Sequence, residues 1–266
     1  MSAIGSTRTA PGERAGQQNG QGDLHREWSS RTRIFLTPVA APSILGLFGF
    51  ASSTFMVAAY LAGWYGSSHS AVSVLSNLAP FCLFFGGLAQ FLAGMWSYRA
   101  RDAIGTAMHG TWGAFWMAFG VFFILVGAHV LTLVGGTAHG ATDAIPFAYW
   151  FYTLAAITAC GFFAALFKNA GLAAVLFTLA AGSACVGIGF DSGVSTWYRV
   201  GGYILVASAA FAVYTAFALM LLEGVGRVVL PLGHFRYNRR EHWRPGAVLA
   251  RALEYEEGMP GSKVGQ

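Results

Sequence analysis

The sequence predicts an all-α membrane protein of six transmembrane helices with both termini in the cytoplasm, and three observations predict it. Charged residues make up only 10% of the 266 residues and apolar ones 55%, whereas a soluble globular domain carries about a quarter charged residues. Apolar runs fall at approximately 42–62, 77–97, 103–132, 145–167, 170–190 and 199–222, each near the ~20 residues that a bilayer core requires. Basic residues gather on one side of those runs. Arg8, Arg14, Arg26, Arg31 and Arg33 precede the first, Arg99 and Arg101 follow the second, and Lys168 follows the fourth. Arg227, Arg236, Arg239, Arg240, Arg244, Arg251 and Lys263 follow the sixth, and only Arg199 falls opposite, with Asp143 and Asp191. Lys and Arg mark the cytoplasmic side.

Residues 1–35 are rich in Ser, Gly, Gln and Arg and lack the apolar core of a secretory signal. They read as a disordered basic tail, ahead of a six-helix domain at 36–233. The first run opens with "APSILGLFGF". Pro42 suits a first helical turn, where its missing N–H costs little. Gly46 and Gly49 remove bulk where another helix must come close, and Phe50 restores it. Ser43, Gly46, Phe50 and Thr54 share one face of this helix, so two hydroxyls flank the Phe50 ring.

In the second run, "FFGGLAQFLAGMW" places Gly86, Gln90 and Gly94 four apart on one face. Small residues at that spacing let helices pack closely. Gln90 needs partners in lipid, and reads either as an interhelical hydrogen bond or as a donor lining a path. In the third run, "TAMHGTWGAFWMAFG" puts His109, Trp112 and Trp116 on one face. The two Trp read first as packing. His109 can snorkel, accept a neighbour's hydrogen bond or meet an anion in a wet vestibule. Runs four and five, separated by "FKNAG", must be tight antiparallel neighbours. After run six, "EGVGRVVLPLGHFRYNRREHWR" mixes apolar residues with Arg and reads as lying along the membrane surface. Residues 234–266 form a basic, then acidic, cytoplasmic tail.

Several function classes are disfavoured. None of the carboxylates falls mid-run, so the Asp or Glu relay typical of proton pumps is missing. Only His109 lies clearly inside a run, which argues against a haem held by paired His. No nucleophile has a partnered base, so no catalytic residue and no enzyme is expected. Cys82, Cys160 and Cys185 show no metal-ligand or disulfide spacing and read as small buried hydrophobes. No metal and no cofactor is expected. The net charge of +5 sits in tails and loops facing lipid head groups, and does not imply nucleic acid.

Four stretches in order resemble the acetate uptake transporter family, also called succinate–acetate permeases. "PSILGLFGF" is similar to its Asn-Pro-Ala-Pro-Leu-Gly-Leu-x-Gly-Phe opening, and "GGLAQFLAGMWSY" to its Gly-Gly-x-Ala-Gln…Ala-Gly element. "GTWGAFW" is similar to its Tyr-Gly-Ser-Phe-Trp segment, and "EGVGRVVLPLG" to its Glu-x-x-Gly-Arg-x-x-Leu-Pro-Ile-Gly close. The resemblance covers about Ala41 to Gly233. It implies six helices around a central pore in each protomer, a homo-hexamer, and passage of acetate, related small monocarboxylates and sometimes succinate. It also implies a hydrophobic constriction at Phe50, Trp112 (for the family's Tyr) and Leu179. The family's Asn before the first Pro is Ala41 here, its second Pro is Ile44, an acidic residue is Ser97, and His109 replaces a Phe.

A passive or proton-linked path for acetate-like anions is therefore expected, with no buried carboxylate to repel them. Ser43, Thr54, Gln90 and His109 are its candidate polar lining. The rival readings are a non-conducting sensor or scaffold working through its tails, and a channel for another small solute such as ammonia.

Overall fold

The computed structural model describes residues 39–67, 70–131 and 145–233. The calls for a disordered tail at 1–35 and a cytoplasmic tail at 234–266 lie outside these residues, as does Asp143. Six helices are long and apolar enough to cross a membrane: α1 Pro42–Leu61, α2 Ala71–Arg99, α3 Ala103–Gly127, α4 Ile145–Ala165, α5 Ala170–Ser192 and α6 Ser195–Val225. Three boundaries differ from those expected. Helix α2 begins six residues earlier than the run at 77, α3 stops at Gly127 rather than 132, and α6 begins at Ser195 and takes Arg199 into its first turns. Hydropathy does not fix helix ends: it leaves out flanking turns at the starts of α2 and α6, and it counts apolar residues past Gly127 that have left the helix.

The ends are built by local chemistry. Helix α1 starts at Pro42 without a side-chain cap, and Ala41 N–H instead donates to Glu223 Oε1 of α6 at 2.7 Å. Asn169 caps α5 by accepting from Leu172 N at 2.8 Å, the ordinary role of an N-cap amide. Helices α5 and α6 end on Gly193 and Gly226, at φ +69° and +72°, where glycine closes a helix without a Cβ clash.

Residues 227–233 return to α5, where Leu232 and Gly233 carbonyls accept from Gly171 and Ala170 N–H, both at 2.9 Å; the rest of the stretch expected along the membrane surface, 234–244, lies outside the described residues. Helix N-termini carry N–H groups with no partner inside the helix, and this return satisfies two of them.

Helix α2 is not a uniform α-helix. Pro80 lies inside it, and Cys82–Ala89 winds as a π-helix. Proline lacks the N–H that a helix interior uses, and Gly86 N–H, two turns on, donates to Ser53 Oγ of α1 at 2.9 Å. The wider turns place Gly86 and Gln90 in a different relation from the straight four-residue spacing read from the sequence.

Packing follows chain order, each helix against the next, with α6 returning to α1 and α3 also reaching α1. The glycines make the contacts close. A Cβ on Gly49 would meet Phe85 O at 2.5 Å, one on Gly86 would meet Ser53 Oγ at 2.6 Å, and one on Gly94 would meet Gly110 N at 2.7 Å. The α3–α4 contact is thin in backbone and filled by rings instead: Phe115–Phe151 at 5.7 Å and Phe122–Phe147 at 5.5 Å. Outward faces are apolar, including Phe81, Phe84, Leu88 and Leu92 of α2. Cys160 is on that exposed surface as well, so it is not the buried small hydrophobe expected.

Gly94 and Gly110 face each other but should respond oppositely to Ala, because a Cβ on Gly110 meets nothing within 4 Å. Gly110→Ala should raise stability by about 0.5–1 kcal/mol through helix propensity, whereas Gly94→Ala should lower it by about 1–3 kcal/mol through overpacking. Thermal unfolding in detergent micelles checks this. Equal effects of the two substitutions would show that the α2–α3 approach is not tight there.

Candidate functional site

A small cavity opens between α1, α2, α3 and α5. Its lining brings together most of the residues singled out from the sequence: Ser43, Phe50, Gln90, His109, Trp112 and Leu179. They come from four helices, and α1, α3 and α5 run in the same direction. Ser43 stands near the start of α1 and Phe50 seven residues on, so the cavity reaches roughly 10 Å along the bundle. Phe50 and Trp112 meet edge to face, with ring centroids 6.2 Å apart, and Leu179 of α5 lines the same cavity. All three are buried.

Polarity is layered around that apolar group. Next to Gly49 of α1, the Gln90 side chain is 2% exposed, and among the described residues its carbonyl Oε1 has no hydrogen-bond partner. Nδ1 of His109 is likewise buried and unpartnered. The imidazole lies over Gly46, where a Cβ would sit 2.6 Å from Nδ1; the glycine is what leaves room for the ring. Beyond the apolar group, Thr54, Trp116 and Ser183 stand four residues after Phe50, Trp112 and Leu179, one turn further along. Their Oγ1, Nε1 and Oγ atoms are also buried without partners. Trp112 differs, because its Nε1 donates to Thr158 Oγ1 of α4 at 3.0 Å.

The sequence reading missed the mouth. Asp102, placed at a span end with no buried role, is 3% exposed and lines the cavity. This overturns the expectation of a path without a buried carboxylate. The chain tucks inward there because Arg101 adopts φ +59° and Asp102 N–H donates to Ser97 O at 3.0 Å. Gly105 leaves space for the carboxylate, since a Cβ would meet Asp102 Oδ2 at 2.5 Å and Ser97 Oγ at 2.9 Å. Lys168 Nζ then donates to Asp102 Oδ1 at 2.5 Å, so the charge is neutralised where it is buried. A signal was available: the α2–α3 and α4–α5 connections share one end of the bundle, and Asp102 is the single acid among their bases.

Residues 28–236 match the model of the GPR1/FUN34/yaaH family. Over 197 residues the chain is 27% identical to the succinate-acetate/proton symporter SatP of Escherichia coli (strain K12), covering 74% of this chain and 97% of that protein. A shorter similarity, 32% identity over 85 residues, links it to ammonia transport outward protein 2 of Saccharomyces cerevisiae, over 32% of this chain and 28% of that one. Among solved structures, the bacterial acetate channel SatP superposes with a TM-score of 0.64 at 26% identity, covering 74% of this chain and all of that one.

The ion pair at the mouth gives a direct test. Removing one partner of a buried pair strands the other charge and costs about 3–5 kcal/mol, less here because Lys168 keeps 19% of its side-chain surface exposed. Lys168→Met should therefore lower the unfolding temperature more than the double variant Asp102→Asn/Lys168→Met. Additive losses in the double variant would mean that the pair carries no coupling.

Proposed function

Because the chain belongs to the GPR1/FUN34/yaaH family, we propose that it is a multi-pass protein of the cell membrane that passes acetate and related small monocarboxylates, and the dicarboxylate succinate as well. The observation that carries this reading is the cavity ending on Phe50, Trp112 and Leu179, inside a bundle similar to a bacterial acetate channel. These three residues form the constriction, and Ser43, Gln90, His109 and, beyond it, Thr54 line the path. An apolar constriction gates by dewetting. A short acid presents a methyl group to the rings and so crosses more readily than a hydrated inorganic ion.

An isolated carboxylate is costly to bury, so the substrate crosses as the protonated acid or hydrogen-bonded to the lining. In this reading the proton travels on the substrate, and no Asp or Glu relay through the bundle is required. Asp102, paired with Lys168, stands at the mouth and not along the way. Both termini lie in the cytoplasm, a reading supported by Arg99, Arg101, Lys168 and Arg227 at one end of the bundle and Arg199 at the other. Six copies assemble as a homo-hexamer, each with its own path. The apolar outer stripe of α2 supports that arrangement by offering a surface for lipid or a neighbouring copy. The relative named as an ammonia transporter favours a second reading, a path for ammonia.

Labelled acetate should enter proteoliposomes at a rate above protein-free vesicles, and propionate should compete with it. Entry indifferent to propionate would favour ammonia, and no entry would sink both the carboxylate path and its gate. An imposed pH gradient should accelerate uptake if protons move with the acid. Phe50→Ala should raise leak of inorganic ions several-fold, whereas unchanged flux and selectivity would remove Phe50 from the gate. His109→Phe should alter the dependence of acetate flux on pH, and superimposable profiles would make His109 purely structural.

A further inference from the structure

We propose that the same cavity admits short, uncharged primary amides, acetamide being the simplest that matches acetate in shape. The proposal rests on reading the cavity as the mouth of the permeation path, and adds a substrate class that never carries a charge. It starts from the unpartnered polar atoms. Buried side-chain groups without a partner are uncommon in native proteins, and each costs free energy. Among the described residues there are seven: Gln90 Oε1 and His109 Nδ1 belong to residues of the cavity lining, Thr54 Oγ1, Trp116 Nε1 and Ser183 Oγ to residues one helical turn past Phe50, Trp112 and Leu179, and Ser76 Oγ and Thr215 Oγ1 lie outside that lining.

The chemistry of these atoms selects the ligand. A carbonyl oxygen such as Gln90 Oε1 only accepts hydrogen bonds, and an indole N–H such as that of Trp116 only donates. A carboxylate, which also only accepts, leaves Gln90 Oε1 unsatisfied and faces it with like partial charge. An undissociated acid supplies one O–H, but only the minor protonated fraction does so at neutral pH. A primary amide supplies two N–H donors and a carbonyl acceptor at every pH, and acetamide keeps the methyl group that meets Phe50. Its N–H satisfies Gln90 Oε1 in the cavity lining, and further along its carbonyl accepts from Nε1 of Trp116, one helical turn past Trp112. His109 Nδ1 takes either role according to its tautomer.

Charge points the same way. The carboxylate in the cavity lining is Asp102, already paired with Lys168 at the mouth. A neutral solute passes that pair without disturbing it, and escapes the desolvation cost that a carboxylate meets further in.

The test uses the full chain in proteoliposomes at neutral pH, following acetamide entry by stopped-flow light scattering alongside uptake of labelled acetate. Acetamide should enter well above its rate in protein-free vesicles and should slow acetate uptake by competition. Gln90→Leu should reduce the protein-dependent acetamide rate by roughly fivefold, the loss of one hydrogen bond. The wild-type comparison stands even where that variant fails to fold. Acetate uptake with acetamide at the bare-lipid rate and no competition would overturn the amide proposal and leave the monocarboxylate path intact. Acetamide entry without acetate uptake would overturn the monocarboxylate path and support the amide one. Entry of neither would overturn both.

Discussion

The close approach of α2 to α1 and α3 is the constraint on which the rest of the structure depends. Between helices in lipid the hydrophobic effect supplies little, because the acyl chains are as apolar as the side chains. Cohesion comes from close packing and from hydrogen bonds that lipid cannot offer. Gly49 against the Phe85 carbonyl, Gly94 against Gly110, and Gly113 against the Phe91 backbone bring the backbones together. The bond from Gly86 N–H to Ser53 Oγ adds a polar tie at the same interface. Held this way, the π-helical stretch of α2 delivers Gln90 into the cavity, and α1 and α3 present Phe50 and Trp112 to each other.

That constraint explains which parts of the molecule were legible in the sequence. Six spans were legible because lipid demands long apolar runs, and Pro42 could be placed at a helix start because its missing N–H costs little in a first turn. The shared face of Ser43, Gly46 and Phe50 followed from helical period alone. Asp102 was not legible as a cavity residue, since its burial depends on a left-handed Arg101 and on Lys168 sixty-six positions away. The return of residues 227–233 was equally hidden: it answers free N–H groups on another helix. Leu179 lies in a run of interchangeable apolar residues, and only resemblance singled it out. Gln90 stood between two roles. Its carbonyl oxygen finds no partner among the described residues, which weighs against the interhelical bond and for a ligand-facing one.

Two of the departures from the familiar motif have physical compensations. Where the family carries an amide, Ala41 offers only its backbone, and that N–H is taken by Glu223, tying the start of α1 to the end of α6. Where it carries an acid, Ser97 sits beside Asp102, whose carboxylate occupies the space that Gly105 leaves open. In this chain the negative charge at this end of the bundle stands at the start of α3. Lys168 meets it there.

The replacement of Tyr by Trp112 bears on whether the proposed constriction stays dry. A Tyr hydroxyl projects from the end of its ring and must find a partner wherever that end points. The indole N–H of Trp112 points away from the cavity to Thr158 Oγ1 at 3.0 Å, and the Thr158 hydroxyl in turn donates to Leu154 O at 2.6 Å. The donor chain ends on a backbone carbonyl, inside the α3–α4 contact. Trp112 therefore offers the cavity carbon atoms while its polar edge is spent elsewhere, so water finds no hydrogen-bonding foothold on that ring. The apolar character of the proposed constriction thus depends on a hydroxyl outside the cavity lining, and a change at Thr158 would wet it by freeing the indole N–H to turn inward.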